Sequence, residues 1–187
     1  MSETHNNLEK KNVLITGPPR TGKTTLIKKF VDFCISKGFN VGGIFTPEIR
    51  ERSVRVGFAI EDILTGKQAI MASVKLKTKN RVGKYGVDTK AIEEIGVEAI
   101  KNAIKTANIV IIDEIGKMEL FSQPFQETVK EALNSNKPVL GTIGKNLVHH
   151  FAKKIKTRPD ITIIVLNQPQ KLDQFFSHLK MIYGLDY

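Results

Sequence analysis

Two glycines separated by four residues, then lysine and threonine, make up Gly17-Pro18-Pro19-Arg20-Thr21-Gly22-Lys23-Thr24, with Thr25 behind them. These residue types at this spacing suit the cradling of a polyphosphate. Gly17 and Gly22 let the backbone curl until successive N–H groups face one anion. Lys23 brings a mobile positive charge to the outer phosphates, and Thr24 a hydroxyl able to ligate Mg²⁺. Thr25 falls where it can touch an inner phosphate, and the two prolines stiffen the loop. The pattern means something only when a strand leads into it and a helix leads out, because the helix N-terminus adds its own positive end. NVLIT precedes it and IKKFVDFC follows. The whole run Gly17, Pro18, Pro19, Arg20, Thr21, Gly22, Lys23, Thr24 and Thr25 is therefore the expected nucleotide-binding loop.

Such a loop calls for a carboxylate at the end of a buried strand, facing the metal. NIVIIDEIGKMEL supplies one: Asp113 follows four apolar β-branched residues, Ile109 to Ile112. Its expected role is to hold Mg²⁺ together with Thr24. Glu114, next in the chain, is expected to orient the attacking water, the alternative being a solvated structural carboxylate. Ile112, Ile115 and Gly116 complete the expected nucleotide-facing stretch. Thr142, near the end of VLGTI, reads equally as a γ-phosphate sensor or as an ordinary strand threonine. Lys117 is a candidate stabilising cation or a solvated lysine. Of the six arginines, Arg20, Arg50 and Arg55 are the candidates for the charge that develops between the β- and γ-phosphates, each weighed against a surface or ion-pair role.

Around these residues, apolar runs alternate with amphipathic ones. Strands are expected at 13–16, 41–46, 109–112, 139–143 and 161–166, the last a buried one. Helices are expected at 24–37 (stopped by Gly38), 89–107, 124–134, 147–154 and 172–182. Shorter β-like pieces at 52–58 and 69–74, with Thr65-Gly66-Lys67 as the turn, suggest a small hairpin excursion. Strands alternating with helices imply an α/β fold with a mostly parallel central sheet. Residues 1–11 read as a flexible tail and 12–187 as one domain.

The chain has 187 residues, 41% hydrophobic and 26% charged, ordinary for a globular protein. No apolar run approaches the ~20 residues needed to span a bilayer. The start is too polar for a secretory signal. The lone Cys34 has no partner within the chain, which favours a cytoplasmic address. The formal charge of +10 comes mostly from dispersed lysines, densest in KLKTKNRVGK and KKIKTR, with few aromatics between them. That favours a lysine-rich surface and leaves nucleic acid an optional partner, not a required one.

GPPRTGKTTLI, GGIFTPEIRE, RVGF, VGKYGVD and IIDEIGKMEL together resemble the small nucleoside-triphosphatase family first described from thermophiles, whose human member is a cancer-related nucleoside-triphosphatase. The resemblance runs from about residue 11 to about 180. It implies a RecA-like P-loop core, Mg²⁺-dependent hydrolysis of ATP, GTP and other nucleoside triphosphates with broad base tolerance, slow turnover and a monomer. Where the family carries an Asn-Arg pair after its last strand, this chain has Asn167 followed by Gln168, so an arginine is missing from the expected base contacts. Two other readings stay open: a nucleotide, nucleoside or polynucleotide kinase, and a nucleic-acid-stimulated ATPase.

Overall fold

A computed structural model describes residues 8–185. Its strands join one sheet in the order β10 (Ile161–Val165), β1 (Asn12–Thr16), β9 (Val139–Ile143), β8 (Ile109–Ile115), β2 (Val41–Phe45), β4 (Val54–Asp62), β5 (Gln68–Ser73), β7 (Tyr85–Val87) and β6 (Arg81–Val82), with β3 (Glu48–Glu51) pairing β4. Five neighbours run parallel: β10, β1, β9, β8 and β2. Helices cover both faces, and the two-residue period of the strands divides their side chains between two cores. Leu14, Val110 and Ile112 face one, packed with α3 (Glu98–Thr106), α4 (Gln123–Asn134) and α5 (His150–Lys156). Val13, Ile15, Ile109 and Ile111 face the other, packed with α1 (Lys23–Ser36) and α6 (Leu172–Ile182). With both faces covered, the four-isoleucine-and-valine run ahead of Asp113 has no solvent face, which is why it reads as continuous apolar sequence.

Four expectations change. The small hairpin excursion is a run of five strands, β3, β4, β5, β6 and β7. It joins the sheet because β4 pairs antiparallel with the end of β2 at Ile44 and Phe45. The turn between β3 and β4 is Arg52-Ser53, both at positive φ, so Arg52 is not in a strand. Glu48–Glu51 was invisible as a strand because Glu-Ile-Arg-Glu lies on the surface with no apolar face to alternate. β10 is not buried: it sits at the sheet edge with only β1 beside it, and Thr162 and Val165 are exposed. The helix expected at 147–154 begins at His150, where the His149 Nδ1 accepts the Phe151 N–H as its cap.

The helix expected at 89–107 is built of α2 (Thr89–Ala91), a π segment (Ile92–Val97) and α3. Of the expected N-terminal tail, residues 1–7 lie outside the described residues. Residues nearer β1 are already attached: the Glu9 N–H donates to the Tyr183 carbonyl, and the Val139 N–H to that of Lys11. Among the described residues no helix is long and apolar enough to cross a membrane.

Candidate active site

The loop after β1 and the acids of β8 meet at the carboxyl edge of the parallel strands, the edge where ligands of such sheets bind. One strand, β9, separates them. Its register sets Thr142 beside Ile15 of β1 and Gly141 beside Ile112 of β8. Gly141 is required there, because a Cβ would stand 2.6 Å from the Ile112 carbonyl oxygen. The Thr142 hydroxyl then reaches across to donate to Asp113 Oδ1 at 2.7 Å. This threonine, read from sequence as a phosphate sensor or a plain strand residue, holds the acid instead.

Gly17 and Gly22 both sit at positive φ, which a side chain rarely adopts, and Gly17 has no room for one. A Cβ on Gly17 would run into the Leu166 carbonyl, and one on Gly22 would lie 3.2 Å from Leu172. The connection from β10 to α6 thus packs directly on the phosphate loop, a neighbour that no sequence motif announced. Lys23 Nζ donates to the carbonyls of Gly17 (3.1 Å) and Pro18 (2.8 Å), and the Thr21 hydroxyl also donates to Pro18. Thr24 and Thr25, in the first turn of α1, are exposed. The α1 N-terminus has no side-chain cap, which leaves its N–H groups for a ligand.

Asp113 is 1% exposed, and its Oδ2 is buried with no hydrogen-bond partner. Burial pushes its carboxyl above the usual carboxylate range, while the hydroxyls of Thr142 and Thr24 and the charges of Lys28 and Lys23 hold it down. A buried carboxylate oxygen whose lone pairs accept no hydrogen bond, beside a threonine hydroxyl, is a donor set suited to a hard divalent cation. Glu114 is raised as well, first by burial and then by Asp113, against the pull of Lys23. The peptide between the two acids is cis. Ile112, Ile115 and Gly116 are all buried around them.

A third acid, Glu119, is 3% exposed, and burial followed by repulsion from Glu114 pushes it up to about 8. Sequence reading passed over it as part of a motif. The only available signal was a carboxylate set between Met118 and Leu120, where a solvated residue would be out of place.

The candidate cations separate. Arg20 lies exposed in the phosphate loop at φ 63°. Arg50 and Arg55 do not reach the site as free charges: both guanidinium groups bind Glu48, and Arg55 also donates to the Tyr85 hydroxyl. Lys117 is exposed, as are Asn167 and, partly, Gln168.

A family model described as NTPase matches residues 12–178. The nucleoside-triphosphatase THEP1 of Methanocaldococcus jannaschii is 45% identical over 173 residues, 92% of this chain and 98% of that one. The crystal structure of THEP1 from Aquifex aeolicus superposes with a TM-score of 0.81 at 35% identity, covering 92% of this chain and 98% of that one. The solution structure of a human cancer-related nucleoside triphosphatase gives 0.75 at 32%, covering 91% and 98%. The likeness holds from the strand that opens the phosphate loop to the helix that closes the fold, and so this chain belongs to the NTPase family.

Proposed function

We propose that this chain hydrolyses nucleoside 5′-triphosphates, ATP and GTP among them, to the diphosphate and phosphate with Mg²⁺ as cofactor. Relatives named as nucleoside-triphosphatases support the reaction class. The observation that carries the reading is the unpartnered Asp113 Oδ2, buried at the strand end beside the phosphate loop. Gly17 to Thr25 bind the phosphates, and Lys23 exchanges its loop carbonyls for phosphate oxygens. Thr24 and Asp113 hold the cation, which neutralises charge on the β- and γ-phosphates when bound. Glu114 orients a water whose oxygen forms the new bond to the γ-phosphorus as the bond to the β–γ bridging oxygen breaks; its carboxylate receives the water's proton. One domain, residues 12–187, contains every group named, so a monomer in the cytoplasm suffices. Slow turnover fits the attachment of Arg50 and Arg55 to Glu48, which keeps two arginines from the developing charge. Base tolerance fits a site whose polar neighbour Asn167 is solvent-exposed and unaccompanied by arginine.

Phosphate release from ATP and GTP with Mg²⁺ tests this directly. Glu114→Ala is expected to bind nucleotide normally and to lose about 10²–10⁴-fold in turnover, the usual contribution of a general base. Unchanged turnover in the variant rejects Glu114 as the base. Release that appears only with an added hydroxyl or phosphate acceptor favours a kinase.

A second reading has its own observation. In the segment leading to β6, Lys75, Lys77, Lys79 and Arg81 are exposed while Leu76, Thr78 and Asn80 are half-buried, so the cations share the outer side. Such a row suits a phosphodiester backbone without reading bases. Lys75 pairs with Glu51, and Arg81 donates to the carbonyls of Leu76 and Lys84. Lys77 and Lys79 are therefore the residues to change. If the row binds single-stranded RNA, Lys77→Gln/Lys79→Gln lowers the slope of log affinity against log salt by about 0.7 per lost contact, with basal hydrolysis unaltered. RNA that neither binds nor stimulates at physiological salt removes this reading.

A further inference from the structure

Glu119 is a buried acid that the proposed reaction does not use. It stands on the loop directly behind Glu114, and the two acids flank one small residue. A Cβ added to Gly116 would lie 2.8 Å from Glu119 Oε2 and 3.5 Å from Glu114 Cδ. No side chain can come between them, so the two carboxyl groups share the space above one peptide unit. The N–H groups of Gly116 and of Glu119 itself lie toward the Glu119 carboxyl and favour its ionised form. The loop is closed further by the Leu120 N–H on the Gly116 carbonyl and the Ser122 N–H on the Glu119 carbonyl. Ser122 then caps α4 through the Phe125 N–H and donates to Glu93 of the π segment at 2.8 Å. The chain beyond Glu114 is thus tied back to two helices, and its first tie is the Glu119 carboxyl.

Burying a carboxyl is costly unless its oxygens are engaged. From this juxtaposition we propose that Glu119 is a positioning residue for Glu114: it fixes the Gly116 peptide and thereby the direction in which the Glu114 carboxylate is presented. The inference rests on Glu114 being the water-orienting base. The upward shift of Glu119 agrees, since a carboxyl pushed up to about 8 keeps its proton near neutral pH and does not compete with Glu114 for a proton of the attacking water.

Four variants test it in the full chain: Glu119→Ala and Glu119→Gln, each alone and combined with Glu114→Ala. Folding is followed by Tm and nucleotide binding by a fluorescent diphosphate. Glu119→Ala is expected to lower kcat by about 10²-fold, the usual cost of a 1 Å misplacement, with KM and diphosphate affinity unchanged. Glu119→Gln retains an acceptor for both N–H groups and is expected to recover most of that loss. In the Glu114→Ala background, Glu119→Ala is expected to do nothing more, because a residue acting through another has no effect once that one is gone. A full kcat in Glu119→Ala, or an additive loss in the double variant, overturns the proposal and leaves the Glu114 reading intact. Full turnover in Glu114→Ala rejects that reading, and this one with it. Should Glu119→Ala fail to fold, Glu119→Met fills the space without accepting the N–H groups and takes its place, both alone and in the Glu114→Ala background.

Discussion

Asp113→Asn is expected to make the metal-free protein more stable and the enzyme nearly inactive. The two effects have one cause. Asp113 is almost fully buried, with Oδ2 unpartnered, and burial holds its carboxyl above the ordinary range. A group whose folded pKa is raised costs stability as pH climbs above its unfolded value, because the unfolded chain loses the proton first. The asparagine has no proton to lose, so its advantage is absent near pH 3 and grows toward neutrality. The amide nitrogen that replaces Oδ2 is as unpartnered as the oxygen was, so the gain is removal of the buried charge, about 1–3 kcal/mol near neutral pH, which for a chain of this length is roughly 2–4 °C of Tm per kcal/mol. Thr142 accommodates the change because its hydroxyl can go on donating to the remaining amide oxygen. Catalysis moves the opposite way. Loss of the carboxylate proposed to hold the cation is expected to forfeit several kcal/mol of charge stabilisation, about 10²–10³-fold in kcat. Mg²⁺ is then expected to raise the Tm of nucleotide-bound wild type and not that of the variant, since only a bound ligand stabilises by mass action. Thermal melts with and without Mg²⁺, beside phosphate release, decide the matter. A variant less stable than wild type in EDTA, or one that keeps Mg²⁺-dependent turnover, contradicts the assignment of Oδ2.

What the sequence made legible was whatever had a local signature. The phosphate loop has one because its geometry demands glycine at two positive-φ positions. β8 has one because a strand covered on both faces has no polar alternation. β9 and α6 were readable to the residue, Val139–Ile143 and Leu172–Ile182. Their apolar periods are strong, and turn chemistry bounds them. The antiparallel extension was legible only in part. β3 is polar on the surface, and β6 is two residues long, so neither carries a period. Their strand character comes from pairing with β4 and β7, which is a tertiary fact. β10 misled for the opposite reason: Ile161, Ile163, Ile164 and Val165 look like core, yet edge position leaves Val165 exposed and Ile161 and Ile163 only partly buried. The site divides along the same line. Asp113 and Glu114 follow from their place at the end of a buried run. The bond from Thr142 to Asp113 spans 29 residues and depends on the β8–β9 register, which no spacing encodes. The capture of Arg50 and Arg55 by Glu48 similarly needs the hairpin to exist first.

Raising the pH from 5 to 8 is expected to destabilise the metal-free wild type, and Glu119→Gln is expected to remove most of that dependence. Glu119 is held at about 8 in the folded chain against an ordinary 4.5. Below 4.5 both states carry the proton and the group contributes nothing. Between the two values only the folded state carries it, so stability falls with each unit of pH, and above about 8 the loss levels off. At about 1.4 kcal/mol per unit, the window bounds the effect at roughly 5 kcal/mol. Asp113 and Glu114 are raised as well, so the variant keeps a shallower slope of the same sign. Denaturant unfolding in EDTA at several pH values measures both slopes. A wild type that gains stability toward pH 8, or a Glu119→Gln curve parallel to it, means that Glu119 titrates as an ordinary carboxylate. The same substitution matters for the loop. If Glu119→Gln is more stable than wild type at pH 8 and still turns over ATP, the acid's proton is dispensable and its hydrogen-bonding oxygen is not. Stability and positioning would then be separable properties of one buried side chain, with the chain beyond Glu114 anchored by an acceptor and not by a charge.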